Sequence, residues 1–577
     1  GQPLDAAKFR GLFGRGDSVT LIAAMLPGAA LVGSEEARRR SRYAVLAGLN
    51  AAGFAPNDSE RMGLVRVQRC ESLAGCAQDE SATGDSSRMD IVYETLSAPG
   101  PRYAVVLWID DTTIGRRWLS AITLLLTDLA PTTSANVRLR ILGPSGSDLL
   151  VRALDADLTE MANDVPRANL VNFAAQWRTL VKLRLISPLS TAPAEQIRSA
   201  AHLTPYCFQF EGGDCIDNSF EARLREVAAR FTLAIGDAPL GLNPPPQPFF
   251  VRMVGTDDLL TERLLAELRG RGLCSVGARK RVILIGEWDS IYARTFSETL
   301  QGGLKCPDEQ GEIELQSYSY LRGLDGVTIG DSATQMRRGG DAKAPIEWPE
   351  GRPQADYVRR LVREILKDNA DRPVHAVGMI GSDVHDKLVL VQALRDAFPD
   401  RVLFTTDMDA RLLHPSVTRY MRNVIVASSL PLAWNEESLP TVWNEEAESS
   451  PSLGSRSSES RKSANKIGPF RDTYQTATYL AARLAVRDVN ISDCSKPEYA
   501  QYLECHVAKV TAIPWVFEIA RDGMVELPLK GVAEAEKGKR SLAAKVVFAV
   551  FLALAGLVLI GYPGPAMRHA RLWWSNA

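Results

Sequence analysis

Short apolar runs rich in β-branched residues alternate with segments of helical period along most of the chain. Residues 19–25 (VTLIAAM) predict a strand, and residues 35–52 predict a helix with its apolar side chains on one face. Such alternation is typical of βαβ units, in which helices cover a parallel sheet. A single core stops growing at roughly 250–300 residues, so 577 residues imply more than one lobe. The sequence therefore predicts an α/β fold of two Rossmann-like lobes with parallel sheets.

The order of the elements and the breaks in composition divide the chain. A proline-rich stretch at 243–248 separates two series of strands and helices, and a segment at 445–466 rich in Ser, Glu, Arg and Lys predicts a mobile insertion. The predicted segments are the first part of lobe 1 (1–190), a hinge or linker (191–248), lobe 2 (249–420), a return to lobe 1 (421–530), a juxtamembrane linker (531–541), a transmembrane helix (542–562) and a short tail (563–577).

An uncharged apolar segment lies near the end of the chain. Residues 546–562 read VVFAVFLALAGLVLIGY, and with residues 542–544 the stretch approaches the roughly 20 residues that cross a hydrocarbon core. Lys545 lies at the edge, where its side chain can reach the lipid headgroups. The segment therefore predicts a single-pass membrane anchor, with a buried core helix as the alternative.

Eight cysteines fall into four pairs of sequence neighbours. An even number in local pairs within loop-like sequence predicts disulfides, and so a periplasmic or other extracytoplasmic location for the large domain. Eight free thiols in a cytosolic protein are the alternative, which the basic residues before the apolar segment weakly favour. The candidate pairs are Cys70 with Cys76, Cys207 with Cys215, Cys274 with Cys306, and Cys494 with Cys505.

Charge and motif content narrow the function. The chain carries 67 Lys+Arg and 69 Asp+Glu, and this balance gives no footprint for nucleic acid. The sequence has no GxSxG, HExxH or P-loop motif, and its six histidines are scattered. Asp407 and Asp409 have the spacing of a metal-binding carboxylate pair, which a solvated loop explains equally well. We expect a protein that is not an enzyme and has no cofactor or metal, with a hydrolase or metal enzyme as a rival.

Five phrases follow one another in a specific order. They are RLRILGPSGSDLLVRA (138–153), LRLISPLSTAP (183–193), FFVRMVGTDDLLTERLLAELRGRG (249–272), RVILIGEWDSIYARTFSETL (281–300) and VHAVGMIGSDVHDKLVLVQ (374–392). This succession resembles the type I periplasmic-binding and receptor ligand-binding family, which includes branched-chain amino-acid-binding proteins and the ectodomains of natriuretic-peptide and glutamate receptors. The resemblance covers most of 17–530 and implies two lobes that close on a ligand. The turn at 287–290 lacks the family's usual Tyr-Gly.

The candidate ligand residues of lobe 1 lie in two loops. In open α/β sheets, ligands bind beyond the carboxyl ends of the strands. Ser145, Gly146 and Ser147 lie there, and the free amides of a helix start would attract a carboxylate or phosphate. Ser187 and Thr191 resemble the hydroxyls with which the family holds the polar head of a ligand. Simple turn and capping chemistry explains both loops as well.

The candidate ligand residues of lobe 2 also follow predicted strands. Trp288 and Asp289 place an aromatic ring beside a carboxylate, which suits a ligand with an amine or a ring. Ser382, Asp383 and Asp407 occupy similar positions. The alternative for Asp289 and Asp383 is that each only caps a helix.

These features predict a membrane-anchored ligand-sensing or substrate-binding domain that closes on a small polar ligand and relays closure to a partner. A protein partner or a second copy of the chain is expected, and nucleic acid is not. The alternative is a scaffold or assembly subunit of a membrane complex, in which a degenerate binding fold holds no ligand. The missing Tyr-Gly turn and the insertions favour this alternative.

Overall fold

Two β-sheets organise the computed structural model of the chain. The structure describes residues 3–28, 32–56, 62–68, 88–111, 118–131, 136–144, 146–152, 183–192, 250–275, 280–288, 290–306, 313–324, 354–370, 373–432, 470–486 and 514–527. The predicted α/β fold is confirmed, but both sheets are mixed, so the prediction of parallel sheets is wrong in part.

A nine-stranded sheet forms the centre of lobe 1. Its strands are β1 (Leu4–Asp5), β2 (Ser18–Leu26), β3 (Ala55–Pro56), β4 (Met62–Gln68), β5 (Arg88–Ala98), β6 (Arg102–Asp110), β7 (Asn136–Leu142), β8 (Leu183–Ser187) and β9 (Phe250–Arg252). They lie in the order β1-β4-β5-β6-β2-β7-β8-β9, with β3 beside β5. Strand β5 runs antiparallel to β4 and β6. Only residues 99–101 connect β5 to β6, and so short a turn makes a hairpin, not a crossover.

A seven-stranded sheet forms the centre of lobe 2. Its strands are β10 (Lys280–Glu287), β11 (Ile313–Tyr320), β12 (Val374–Ile380), β13 (Val402–Thr406), β14 (Val424–Ser428), β15 (Trp515–Ile519) and β16 (Met524–Glu526). They lie in the order β11-β10-β12-β13-β14-β15-β16, and the last two pairings are antiparallel. The five parallel strands bring their carboxyl ends to one edge.

Helices cover both faces of each sheet. They are α1 (Ala6–Arg10), α2 (Val32–Ala51), α3 (Trp118–Leu129), α4 (Asp257–Gly270), α5 (Ile291–Gly303), α6 (Gln354–Asp368), α7 (Val384–Ala397), α8 (Thr418–Met421) and α9 (Thr473–Ala485), with a 3-10 helix at Ala410–Leu413. In lobe 1, α1 and α3 pack on one face of the sheet, and α2 and α9 pack on the other. A Cβ at Gly48 would lie 2.3 Å from the Tyr479 carbonyl oxygen, so glycine permits the close contact of α2 with α9.

As far as the described elements show, the chain passes between the lobes three times. It leaves lobe 1 between β9 and α4, returns between β14 and α9, and leaves again before β15. Residues 250–252 thus belong to the lobe 1 sheet, whereas residues 424–428 and 515–526 belong to the lobe 2 sheet. The boundaries predicted from the sequence assign these strands to the opposite lobes, because strand order along the chain does not reveal which sheet a strand joins.

A disulfide joins Cys274, which follows α4, to Cys306, which follows α5, with 5.6 Å between their Cα atoms. This confirms one of the four predicted pairs. The other three pairs stay predictions, because all six of their cysteines lie outside the described residues: Cys70, Cys76, Cys207, Cys215, Cys494 and Cys505.

Two further predicted segments also lie outside the described residues. They are the membrane helix at 542–562 and the insertion at 445–466. Among the residues that the structure describes, no helix has both the length and the apolar character needed to span a bilayer.

Candidate ligand site between the lobes

The carboxyl ends of strands from both lobes meet where the chain passes between them. The Asp257 amide, at the start of α4, donates to the Thr191 carbonyl beyond β8, with 2.9 Å between nitrogen and oxygen. The Gly255 amide donates to the Ser429 hydroxyl beyond β14 at 3.0 Å. The first two crossing segments are therefore bonded to each other and to the strand ends of lobe 1.

Side chains from both lobes gather around this junction. We call the following residues the hinge cluster: Thr191, Arg252, Asp257, Tyr292, Lys387, Asp407 and Tyr474. They come from β9, the loop after β8, α4, α5, α7, the loop after β13 and α9. The cluster thus depends on the contact of the two lobes.

Asp257 is the most unusual member of the hinge cluster. Its residue is 1% exposed, and neither carboxylate oxygen has a partner of ordinary hydrogen-bond geometry. Burial raises the pKa of Asp257 well above its usual value; the Asp407 carboxylate raises it further, while the nearby Thr191 hydroxyl and Arg252 guanidinium lower it. A buried acid that accepts no hydrogen bond of ordinary geometry favours its neutral form.

Asp407, by contrast, is well supplied with donors. The Tyr292 hydroxyl donates to its Oδ2 at 3.1 Å, the Lys387 ammonium lies 3.7 Å away, and the buried Tyr474 side chain also interacts with it. Asp407 has φ of 61°, a left-handed conformation that is uncommon for residues other than glycine. Burial raises the pKa of both tyrosines well above 10, so they remain protonated donors. Residues of three helices, α5, α7 and α9, therefore hold the Asp407 carboxylate in one position.

Lys387 completes the support of Asp407. Its ammonium donates to the Thr406 carbonyl at 2.8 Å. The residue as a whole is 4% exposed. Burial lowers the pKa of Lys387, and the charges of Asp407 and Asp409 partly offset this. Lys387 and Asp407 form a buried ion pair within lobe 2.

The predicted hydroxyls of lobe 1 are mostly used by the fold itself. The Ser147 hydroxyl accepts the Thr191 amide at 3.1 Å, and the Ser187 hydroxyl accepts the Ser190 amide at 3.2 Å. These are the turn contacts that the sequence left as an alternative. Ser190 differs, because its fully buried hydroxyl has no partner among the described residues. Gly146 accepts the Leu150 amide within a helical stretch over 147–152, and Ser145 lies outside the described residues.

Apart from Asp407, the predicted residues of lobe 2 that the structure describes lie in a separate group at the ends of β10, β11 and β12, which we call the lobe 2 rim. The Ser382 amide and hydroxyl donate to the Glu287 carboxylate at 2.6 and 2.8 Å. Asp383 is the N-cap of α7 and accepts the His385 amide at 2.8 Å, as the capping alternative predicts. Trp288 is 61% exposed, and Asp289 lies outside the described residues.

Asp409, the second carboxylate of the possible metal pair, has cationic partners. It caps the 3-10 helix, pairs with Arg411 at 2.9 Å and lies 3.7 Å from Arg471. It is 5% exposed, so it is not part of a solvated loop. Within the described ranges, no three potential ligands from His, Cys, Asp and Glu come together as a metal site would require.

Five residues of the hinge cluster are not predicted from the sequence as site residues: Arg252, Asp257, Tyr292, Lys387 and Tyr474. Arg252 and Asp257 lie in the phrase FFVRMVGTDD, which is the one signal that points toward them. The other three occupy helices, and nothing local distinguishes them from ordinary helix residues.

Comparison with known proteins gives structural neighbours only. No model of a known protein family matches the chain, and no curated protein matches it. Among the solved structures similar to it are type I periplasmic-binding proteins. An extracellular ligand-binding receptor from Verminephrobacter eiseniae is 13% identical, with 89% of this chain and 100% of that chain covered and a TM-score of 0.42. A leucine-binding protein from Thermotoga maritima is 10% identical, with 88% and 98% covered and a TM-score of 0.38.

A third neighbour has a different ligand. It is a solute-binding protein of an ABC transporter from Rhodopseudomonas palustris in complex with benzoate, 11% identical, with 88% of this chain and 95% of that chain covered and a TM-score of 0.37.

Proposed function

We propose that this chain is a membrane-anchored, extracytoplasmic binding protein. In this proposal its two lobes hold a small polar ligand at the hinge cluster and relay their closure to a partner protein. The ligand carries hydrogen-bond donors, such as a protonated amine.

One observation supports this more than any other. Asp257 and Ser190 bury polar oxygens that have no partner of ordinary hydrogen-bond geometry, at the place where the strand ends of the two lobes meet. Buried polar groups in native proteins are nearly always hydrogen-bonded, so an unpaired carboxylate favours a donor that arrives from outside the chain. A cationic donor would pair with Asp257 as Lys387 pairs with Asp407.

A paired ligand panel tests the proposal on the full-length chain with its disulfides intact. We expect L-amino acids to raise the melting temperature, and the matching acids without the amino group to have little effect. Asp257→Asn should abolish the response, whereas Asp258→Asn, which removes an exposed charge one residue later, should retain it. Equal responses to both members of each pair would contradict an amine-binding site.

The anchor and the compartment need their own tests. The uncharged stretch at 546–562 supports a membrane helix, and the Cys274–Cys306 disulfide supports an oxidising compartment. We expect the chain to stay with membranes in alkaline carbonate and its body to be digested by protease added to intact spheroplasts. Release by carbonate would refute the anchor, and protection from protease would refute the location.

A scaffold function remains a second candidate because of Lys387. Its ammonium already occupies the position beside Asp407 where a ligand cation could bind. Native mass spectrometry of the purified chain separates the two candidates. A copurified small molecule favours the binding protein, whereas a stoichiometric protein partner without any small molecule favours the scaffold.

A further inference from the structure

The buried Asp257 and Asp407 carboxylates repel each other at the junction of the lobes, and the nearby cations are unequally shared between them. Lys387 is bound to Asp407 and to the Thr406 carbonyl. Arg252 donates to the Ala192 carbonyl at 2.6 Å. A charge on Asp257 would thus be stabilised by the Thr191 hydroxyl and by Arg252, against its burial and the repulsion of Asp407 and Asp258.

The charged and titratable groups around the pair come from every element packed against it. Those that act on Asp257 are Arg252, Asp258 and Asp407. Those that contact or act on the Asp407–Lys387 pair are Tyr292, Tyr474, Asp409, Glu287 and Asp383. Except for Arg252 and Lys387, these groups are either acids or tyrosines, so the surroundings favour a proton on Asp257 and oppose its loss.

The backbone links the state of Asp257 to the contact of the lobes. Its amide bonds to the Thr191 carbonyl of lobe 1, and a charge on its buried side chain is repelled by the Asp407 carboxylate of lobe 2. An ionised carboxylate at this position needs water or a cation, because burying an unpaired charge is costly. Water reaches a fully buried junction only if the surfaces around it separate.

We propose that the hinge cluster is a proton-dependent switch, in which the lobes stay together while Asp257 holds a proton and separate when it loses that proton with no ligand bound. A bound cationic donor would replace the proton and keep the lobes together. That a ligand replaces the proton rests on the proposed function. The switch itself is a property of the chain without ligand.

Amide hydrogen exchange of the ligand-free, full-length chain in mild detergent tests the switch. Protection at each pH is expressed relative to the intrinsic exchange rate, so that the pH dependence of the chemistry cancels. Peptides that contain Gly255 and Asp257 should lose protection as the pH rises over about two units, which is the width of a one-proton titration. A peptide from β12 serves as an internal reference and should not change.

Substitutions assign the transition to one carboxyl group. Asp257→Asn should keep its hinge protection at every pH, whereas the matched Asp258→Asn should keep a pH-dependent transition, moved slightly to lower pH because one repelling charge is gone. Should Asp257→Asn fail to fold, Asp407→Asn takes its place; by removing the repulsion, it should move the transition to lower pH. The switch is refuted if wild-type protection does not depend on pH, or if Asp257→Asn follows the wild-type curve.

Failure of the switch and failure of the proposed function have different signatures. If the chain binds its ligand but the protection at the hinge does not depend on pH, only the switch is refuted. If the protection at the hinge depends on pH but no amine binds, the amine ligand is refuted and the switch stands.

Discussion

Two buried carboxylates at strand ends have opposite surroundings. Glu287 ends β10, is 2% exposed and accepts both the amide and the hydroxyl of Ser382. Asp257 begins α4, is 1% exposed and accepts no hydrogen bond of ordinary geometry. The comparison indicates that Glu287 holds the lobe 2 rim together, whereas Asp257 is available for a proton or a ligand.

The lobe 2 rim around Glu287 is tightly packed, so the addition of one methyl group tests how rigidly it is held. A Cβ at Gly381 would lie 2.0 Å from the Tyr320 hydroxyl and 3.1 Å from Glu287 Oε2. Both neighbours are buried, so we expect Gly381→Ala to lower the free energy of unfolding by about 3 kcal/mol in urea titrations.

The matched control for this substitution lies in α5. A Cβ at Gly302 would meet nothing within 4 Å, so Gly302→Ala should leave the free energy of unfolding unchanged or raise it slightly. Equal effects of the two substitutions would show that the rim yields easily and that Glu287 is not rigidly held.

Replacing a carboxylate by an amide distinguishes Glu287 from Asp257 most directly. Glu287→Gln replaces one acceptor oxygen by a donor that opposes the Ser382 donors, and hydrogen bonds to charged groups are the stronger ones. We expect a loss of about 2 kcal/mol in the free energy of unfolding. The same change at the exposed Glu298 of α5 should have almost no effect, and a similarly small loss at Glu287 would remove its role as a clamp.

The sequence predicts the fold better than it predicts the site, for a physical reason. Strands and helices follow from local periodicity, and the cap at Asp383 follows from a residue type at a helix start. The antiparallel partners of β5 and β15 and the environment of Asp257 depend on contacts between distant segments. Ser187 shows the limit clearly, because the same hydroxyl suits a ligand or a turn and only the fold assigns it to the Ser190 amide.

Compared with Gly381→Ala and Glu287→Gln, Asp257→Asn is expected to change the free energy of unfolding least, and to raise it at high pH instead of lowering it. The pKa of Asp257 is raised in the folded chain, so the residue contributes its full stability below the unfolded value of about 3.9 and loses it as the pH rises through the folded value. An asparagine has no proton to lose, so Asp257→Asn should be more stable than the wild type at pH 8 by about 1 kcal/mol. The two proteins should converge near pH 4. Urea unfolding at both pH values measures the difference. A variant that is less stable than the wild type at pH 8 would show that Asp257, like Glu287, holds its surroundings together.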